Sequence, residues 1–308
     1  MPDPAAAFLI YNPVAGKIFR QPQLIQDAVA ILSPALGSIH LRPTTGPETA
    51  GAIALSCINK GATLIFAAGG DGTINEVVNG MAGSDVPLAI LPAGTANVLA
   101  METGIGSSLL RAAGQFGDLE PRDIALGRLL LPGKEPRYFL LMAGLGLDAR
   151  IVRLVRPEIK RRWGKLSYWE GGFAQVGKRL PEFDITIDGE TRRASFALLS
   201  RVRNYGGDLE IARHANLLAD DFAVVLFEGP SSLRYLKYFS GVLLNKLNGM
   251  SGVHLLRARS MAFSPASETP IDAQIDGEYA GLAPGRIEIA EERVRLLLPR
   301  TYIRKMGG

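Results

Sequence analysis

The first hundred residues alternate short apolar runs with segments in which apolar residues recur at helical spacing. Leu24, Ile25, Ala28, Val29 and Leu32 mark one face of a helix, and the apolar runs around such segments are Ala5–Tyr11, Ile39–Leu41, Phe66–Ala68 and Pro87–Leu91. Strands that alternate with helices form a parallel sheet covered by helices, which binds ligands at the carboxyl ends of its strands. We therefore predict an α/β domain over residues 1–122.

The pattern changes near residue 122, where short runs rich in β-branched and aromatic residues take over. The predicted strands are Asp123–Leu130, Tyr138–Ala143, Phe183–Asp188, Ala194–Arg201, Phe222–Phe227, Val253–Phe263, Gln274–Ile275, Arg286–Ala290 and Val294–Leu298. Asp188-Gly189 and Asp276-Gly277 are typical of hairpin turns. We predict an antiparallel β domain over residues 123–299, with helical insertions near 148–179 and 231–247. Residues 300–308 are a candidate completion of the first domain.

The length favours two folded domains, with one large α/β domain as the alternative. The chain has 308 residues, 47% of them hydrophobic and 21% charged, which is typical of a globular protein. No apolar run reaches the ~18 residues that span a bilayer, and the N-terminus lacks the basic and apolar regions of a signal peptide. We therefore expect a cytoplasmic protein. The single cysteine, Cys57, cannot form an intramolecular disulfide, and its place on an apolar helical face predicts a core position.

Positive charge is concentrated in the stretch 150–165. The net charge of +4 is mild, but this stretch holds Arg150, Arg153, Arg156, Lys160, Arg161, Arg162 and Lys165. Such a cluster suits an anionic membrane surface or phosphates, although arginines three apart also fit an ordinary solvated helix face. Nothing resembling a nucleic-acid module accompanies it, so nucleic acid is not an expected partner.

A glycine turn that holds one carboxylate follows the strand at Phe66. Gly69-Gly70-Asp71-Gly72 lets the backbone approach a ligand closely, and the N–H groups of the turn and the following helix can bind an anion. Thr73 and Glu76 are predicted to form a capping box at the start of that helix. Thr45 and Glu48 are predicted to form another at the start of the preceding helix. An ordinary strand-to-helix turn is the alternative, but it has no need of Asp71. A carboxylate beside phosphate-binding amides can hold Mg²⁺ or accept a proton.

Further turns are expected at the same edge of the sheet. Asn12, Thr44 and the segment Gly94–Asn97 each follow a predicted strand, as the glycine turn does. Asn12 to Lys17 is a turn with a free basic side chain at Lys17, a candidate second phosphate contact, although Asn-Pro followed by Gly is also a common turn.

Several other chemistries lack support in the sequence. Gly144-Leu145-Gly146-Leu147-Asp148-Ala149 fits the dinucleotide fingerprint, but no second strand ends in an acidic residue about twenty positions later. No Gly-Lys is followed by Ser or Thr, and His40, His214 and His254 show no metal spacing. No Gly-x-Ser-x-Gly elbow occurs, so hydrolase and zinc-enzyme functions are not indicated.

Two motifs in order resemble the lipid kinases with a diacylglycerol kinase catalytic domain. They are Gly69-Gly70-Asp71-Gly72-Thr73, followed by Asn75-Glu76-Val77, and Leu91–Asn97. The likeness extends along the chain through Asn12-Pro13, the basic segment 160–168, Asn204-Tyr205-Gly206-Gly207 and Ile275–Glu278. The resemblance implies an α/β ATP-binding domain and a β-sandwich domain around an interdomain cleft.

The resemblance also assigns roles to residues. Asp71 would serve Mg²⁺ or catalysis, and Glu278 matches the proton acceptor for the lipid hydroxyl in bacterial members; from the residues alone Glu278 would be a surface position after a hairpin turn. The candidate ATP contacts are Asn12, Thr44, Thr45, Gly69, Gly70, Asp71, Gly72, Thr73, Glu76, Gly94, Thr95 and Asn97.

Bacterial members further carry a structural Mg²⁺ in the second domain. The matching loop here would use the Asp220 side chain and the carbonyls of Leu217 and Phe222. Asp221 stands where the family usually has glycine, and Arg213 stands where proline is common.

Three functions remain to be compared. The first is an ATP- and Mg²⁺-dependent kinase of a diacylglycerol-like or sphingoid lipid. The others are a soluble-metabolite kinase of the NAD-kinase type and a non-catalytic nucleotide- or lipid-binding regulator. For the lipid kinase we expect peripheral, salt-sensitive binding at the inner membrane face through residues 150–165. The assembly state is open, with a homodimer as one alternative.

Overall fold

The chain forms two compact units. The structure is a computed structural model that describes residues 6–154, 177, 179–205, 209–244 and 246–307. Unit 1 comprises Met1–Leu126 and Glu291–Gly308, and unit 2 comprises Gly127–Ala290. The sequence predicted a second domain with limits at 123 and 299, whereas unit 2 begins at Gly127 and ends at Ala290.

Unit 1 is built on a parallel sheet. Its strands are β1 (Ala6–Tyr11), β2 (Ile39–Pro43), β3 (Ala62–Gly69) and β4 (Leu88–Pro92). They pair in parallel in the order β2-β1-β3-β4, as the alternating pattern predicted. β3 and β4 are buried along almost their whole length, which is typical of parallel strands covered on both faces.

Short helices connect the strands of unit 1. They are α1 (Gly16–Arg20), α2 (Leu24–Leu36), α3 (Ala50–Asn59), α4 (Asp71–Met81), α5 (Val98–Glu102) and α6 (Leu109–Gly114), followed by a 3-10 turn at Phe116–Asp118. The apolar side chains of α4, Ile74, Val77, Val78 and Met81, are buried, and Cys57 lies in the core as predicted.

The N-terminus of α3 is capped by a side chain from another helix. The predicted box of Thr45 and Glu48 is wrong, because α3 begins only at Ala50 and Glu48 lies before it with a φ of 59°. Instead, the Glu76 carboxylate of α4 accepts hydrogen bonds from the N–H groups of Glu48 at 3.1 Å and Ala50 at 2.9 Å. This fixes the loop after β2 against α4.

Unit 2 is an antiparallel β-sandwich. β5 (Leu119–Leu130) begins in unit 1, and β18 (Gly285–Pro299) returns the chain to it. Between them lie β6 (Arg137–Phe139), β7 (Met142–Gly146), β8 (Phe183–Ile187), β9 (Glu190–Ala194), β10 (Phe196–Ser200), β11 (Asn204–Tyr205), β12 (Leu209–Glu210), β13 (Phe222–Phe227), β14 (Val253–Ala258), β15 (Ser260–Pro265), β16 (Asp272–Ile275) and β17 (Glu278–Leu282).

Two sheets share the core of unit 2. One sheet has the order β14-β13-β10-β7-β16-β17, and β9, β8, β15 and the first part of β18 form the other layer. Buried side chains of both layers, among them Phe139, Phe183, Leu199, Phe222 and Phe263, make one hydrophobic cluster. The antiparallel prediction is therefore confirmed.

Strand limits differ from the prediction in several places. The predicted strand Tyr138–Ala143 is two strands, β6 and β7, and the predicted strand Ala194–Arg201 begins in β9 and continues as β10. The predicted strand Val253–Phe263 is two strands, since β14 pairs with β13 while β15 pairs with β8 and β18. The two predicted strands at 286–298 are one, β18. The polar residues in the middle of β18 resemble a turn in the sequence. The first part of β18 pairs antiparallel with β15, and the last part pairs in parallel with β4 through Leu296.

Three helices complete the description. They are α7 (Leu147–Leu154), α8 (Ser232–Leu243) and α9 (Arg300–Met306). α8 packs through Tyr238 on Phe227, whose ring centroids are 4.7 Å apart. α9 belongs to unit 1, where Tyr302 is buried. The rest of the predicted insertion at 148–179 lies largely outside the described residues.

Candidate functional site

Four loops of unit 1 begin at one edge of the parallel sheet. Tyr11, at the end of β1, pairs in register with Pro43 and Ala68, and Gly69 pairs with Pro92. The backbone N–H of Thr44 donates to the carbonyl of Tyr11 at 2.8 Å. The loops that carry Asn12, Thr44, the glycine turn and Gly94–Asn97 are therefore brought together.

The backbones of two of these loops touch at Gly70 and Gly94. A Cβ atom on Gly94 would lie 2.5 Å from the Cα of Gly70, closer than real Cβ contacts come. A Cβ on Gly69 would lie 2.5 Å from the Cβ of Thr73. Glycine at positions 69 and 94 is thus required by these close contacts.

Helix α4 begins directly at the glycine turn. Its N-cap is Gly70 and its first residue is Asp71, so the predicted N-cap at Thr73 is wrong; Thr73 accepts a hydrogen bond from Asn12 Nδ2 at 3.2 Å instead. Asp71, Gly72 and Thr73 form the first turn, where N–H groups have no intrahelical acceptor. The positive end of the helix dipole adds to this, so the edge favours an anion.

The carboxylate of Asp71 also contacts helix α5, which directly follows the second glycine loop. Its Oδ1 accepts a hydrogen bond from the N–H of Leu99 at 3.4 Å. In the loop before α5 the buried Asn97, with a φ of 48°, closes a turn: its side chain accepts from the N–H and donates to the carbonyl of Gly94, both at 2.9 Å. Asn97 therefore has a structural role, while Thr95 is exposed at the tip.

Two other predicted contacts are already engaged. The Glu76 carboxylate is held by the N-terminus of α3, so a direct contact with a nucleotide stays a prediction. The Lys17 side chain is not free as expected, because its ammonium donates to the carbonyl of Ser107. Burial, with a smaller effect of Arg20, lowers the pKa of Lys17. Thr44 is buried, and Thr45 is exposed.

Glu278 follows a tightly anchored turn in unit 2. Asp276 and Gly277 have φ values of 48° and 80°, which is the type I′ hairpin that the sequence predicted. The buried Asp276 carboxylate accepts hydrogen bonds from the N–H groups of Leu140, Leu141 and Met142 at 2.8 to 2.9 Å. Each bond to a charged group contributes about 1.5–3 kcal/mol, so the turn is rigid.

Glu278 itself is neither buried nor freely exposed. Its side chain is 40% exposed and lies 3.5 Å from the guanidinium of Arg137. The residues alone predicted a surface position for Glu278, and the side chain is partly exposed there.

A buried carboxylate that the sequence analysis did not assign to a site lies behind this turn. Asp148, at the start of α7, accepts hydrogen bonds from the hydroxyl of Tyr205 and from Gln274 Nε2, the latter at 2.7 Å. The side-chain oxygen of Gln274 in turn accepts the N–H of Gly277 at 2.8 Å. Burial raises the pKa of Asp148, against the opposing effect of its two donors. Hydrogen bonds thus run from Tyr205 to Asp148, from Gln274 to Asp148 and from Gly277 to Gln274. They hold Gly277, the residue directly before Glu278.

The glycines of the dinucleotide-like segment serve this packing. A Cβ on Gly144 would lie 1.6 Å from the Asp148 carboxylate, and Gly146 has a φ of 70°. The fingerprint at this position is explained without a ligand.

The residues predicted to hold a structural metal lie in the loop before β13. Leu217 is buried, Asp220 is half-buried and Phe222 begins the strand. Across the described ranges, no group of three or more His, Cys, Asp or Glu side chains is arranged to hold a metal ion. The Leu217 carbonyl accepts a hydrogen bond from Arg201 at 2.6 Å.

The basic stretch is described only at its start. Arg153 lies 3.3 Å from the buried Asp272, whereas Arg156, Lys160, Arg161, Arg162 and Lys165 lie outside the described residues. No helix in the described part of the chain has both the length and the apolar character to cross a bilayer.

Comparison with known proteins gives matches over both units. The diacylglycerol kinase catalytic domain family matches residues 6–129, and the YegS C-terminal NAD kinase beta sandwich-like domain matches residues 142–298. A diacylglycerol kinase of Bacillus subtilis is 26% identical over 300 residues, covering 96% of each chain. A diacylglycerol kinase of Mycobacterium tuberculosis is 27% identical over 254 residues, covering 80% of each chain.

The fold is also similar to a solved structure. A crystal structure of a diacylglycerol kinase from Bacillus anthracis has a TM-score of 0.74 and 22% identity, covering 96% of this chain and 98% of that one. The match to the catalytic-domain family and the curated relatives together identify a lipid kinase. The chain belongs to the diacylglycerol kinase catalytic domain family.

The raised pKa of Asp148 predicts a pH-dependent stability. Its folded-state pKa exceeds the ordinary value of 3.8, so its contribution is full below that value and is lost as pH rises through the folded pKa. The wild type should therefore lose stability relative to Asp148→Asn between acid and neutral pH. Unfolding midpoints measured across this range test it, with the exposed Asp118→Asn as control. Parallel curves for wild type and Asp148→Asn would contradict the assignment.

Proposed function

We propose that this lipid kinase transfers the γ-phosphate of ATP, bound with Mg²⁺, to a hydroxyl of a diacylglycerol-like or sphingoid lipid. The observation that carries the proposal is the glycine edge of unit 1, where Gly70 and Gly94 touch beside the start of α4 and the carboxylate of Asp71. The names of the curated relatives favour diacylglycerol as the acceptor class.

The nucleotide phosphates are proposed to bind at this edge. The first-turn N–H groups of α4 offer donors, and no Cβ at Gly69, Gly70 or Gly94 hinders the approach. The hydrogen bond from Asn12 to Thr73 holds two polar side chains at this edge, and Thr95 is exposed beside it. All three can contact a bound nucleotide. These residues fit a polyanionic ligand.

Asp71 is the proposed protein ligand for the Mg²⁺ that accompanies ATP. Mg²⁺ in phosphoryl-transfer sites binds through one or two carboxylates together with phosphate oxygens, and it neutralises charge on the transferred group. Asp71 is half-buried at the helix start, which places a carboxylate next to the proposed phosphate donors.

The reaction forms a bond between the lipid hydroxyl oxygen and the γ-phosphorus, and the bond from that phosphorus to the β,γ-bridging oxygen breaks to release ADP. The hydroxyl proton passes to a carboxylate, either Glu278 or Asp71. Positioning and charge neutralisation contribute most to phosphoryl transfer, and general-base catalysis typically adds a factor of about 10²–10⁴ to the rate. Glu278 is the favoured acceptor because the hydrogen bonds of Asp276 anchor its turn and because its carboxylate lies at the surface, 3.5 Å from Arg137.

Access to the lipid is proposed to be peripheral, at the inner face of the cytoplasmic membrane. Helix α8 exposes Leu233 and Leu236, which are 59% and 49% accessible, beside the exposed Arg234 and Lys237. Exposed leucines flanked by basic side chains fit the interface of an anionic bilayer. The basic stretch 150–165 would add charge to the same attraction.

Phosphate transfer to a lipid panel tests the reaction. The enzyme should label one of diacylglycerol, monoacylglycerol, sphingosine, ceramide and phosphatidylglycerol in mixed micelles with radiolabelled ATP. Asp71→Asn should lower this transfer by roughly a hundredfold or more, since it removes a group at the reacting phosphate. The exposed Asp118→Asn serves as the matched control and should retain wild-type transfer. An enzyme that binds ATP but labels none of these lipids would contradict the proposal.

The base is identified by comparing kcat and KM. Glu278→Gln should reduce kcat by about 10²–10⁴ while leaving the KM for ATP unchanged, because it removes proton acceptance and not nucleotide binding. Glu268→Gln, an exposed position of the same unit, is the control. If Glu278→Gln retained the wild-type kcat, Glu278 would not be the base, and Asp71 would be the remaining candidate.

Vesicle co-sedimentation tests the membrane contact. Binding to phosphatidylglycerol vesicles should weaken several-fold in Leu233→Ser with Leu236→Ser, and should fall with rising salt. Leu55→Ser, an exposed leucine of unit 1, should bind as the wild type does. Charge reversal of Arg161 and Arg162, outside the described residues, should also weaken binding. Binding that ignores salt and all these substitutions would refute the peripheral proposal.

A further inference from the structure

The side chain of Arg201 is fully buried in unit 2. It follows β10, its backbone N–H donates to the carbonyl of Leu141 at 2.8 Å, and its exposed fraction is 0%. Its Nη2 donates to two backbone carbonyls, of Leu217 at 2.6 Å and of Ala219 at 2.8 Å. A buried guanidinium remains charged, so these carbonyl dipoles stabilise a cation in the interior.

The loop is shaped to present those carbonyls. The side chain of Asn216 accepts the N–H of Leu218 at 2.9 Å, and its carbonyl accepts the N–H of Ala219 at 3.0 Å. These two bonds close a tight turn from residue 216 to 219. The turn directs the carbonyls of Leu217 and Ala219 towards a single nitrogen.

A second arginine holds the end of the same loop. Arg257 of β14 binds Asp221 in a bidentate pair, with Nε at 2.7 Å and Nη2 at 2.5 Å, and its Nη1 donates to the carbonyl of His214 at 3.2 Å. Asp221 is the residue that replaces the family's usual glycine. Its carboxylate is therefore paired with Arg257.

We propose that the guanidinium of Arg201 is the structural cation of the loop 212–221, in place of the divalent metal that the resemblance implies. One of the three predicted metal ligands, the Leu217 carbonyl, already accepts from Arg201. Mg²⁺ requires near-octahedral oxygen ligands at 2.0–2.1 Å, and a dication on this oxygen would repel the adjacent guanidinium. The donor set does not fit Mg²⁺. The inference is independent of the proposed reaction, since it concerns what folds the loop.

The first test uses the nucleotide-free wild-type protein. Its unfolding temperature should be the same in excess EDTA as in millimolar Mg²⁺ or Ca²⁺, because no metal is part of the folded loop. The proposal would be overturned if EDTA lowered the unfolding temperature of the wild type but not that of Asp220→Asn. This measurement needs no variant of Arg201 and stands even if such variants fail to fold.

The second test replaces the buried cation. Arg201→Ala should unfold at a lower temperature, and millimolar ethylguanidinium should restore at least half of the loss, whereas ethylammonium should not. At such concentrations guanidinium ions are far below the molar range in which they denature proteins. Arg192→Ala, which removes a partly exposed arginine of the same unit, should show no rescue. Absence of rescue in Arg201→Ala, or equal rescue in both variants, would contradict the assignment.

Discussion

The contact between Gly70 and Gly94 is the constraint on which the candidate site depends. Their backbones meet so closely that one methyl group on Gly94 would lie 2.5 Å from the other Cα. The contact is possible because β3 and β4 pair in parallel and in register up to Gly69 and Pro92. It sets the start of α4 and the Gly94 loop side by side, and Asp71 also accepts the N–H of Leu99 in α5, directly after that loop.

Unit 2 relies on buried charge in a comparable way. The Asp276 carboxylate takes three backbone N–H groups and so fixes the turn before Glu278. The guanidinium of Arg201 donates hydrogen bonds to two backbone carbonyls and so fixes the loop before β13. In both cases a charged side chain satisfies backbone groups that irregular chain would otherwise leave without partners in the interior.

Features encoded by neighbouring residues could be predicted from the sequence. The Asp276-Gly277 turn follows from two residues that tolerate positive φ, and the parallel sheet from the alternation of strands and helices. Contacts between distant residues could not. Asp148 meets Gln274 across 126 positions, and Glu76 caps α3 instead of its own helix, because strand register and helix packing decide such pairs. Arg201 ends a predicted strand, and nothing in its local sequence marks its burial.

The binding of a nonhydrolysable ATP analogue to Gly94→Ala tests the central claim most directly. The account predicts at least a tenfold loss of affinity by calorimetry, since the added Cβ must push apart the two loops that form the edge, with about 1–3 kcal/mol of lost stability. Gly46→Ala, where a Cβ meets nothing within 4 Å, should bind as the wild type does. Wild-type affinity in folded Gly94→Ala would show that the nucleotide binds elsewhere.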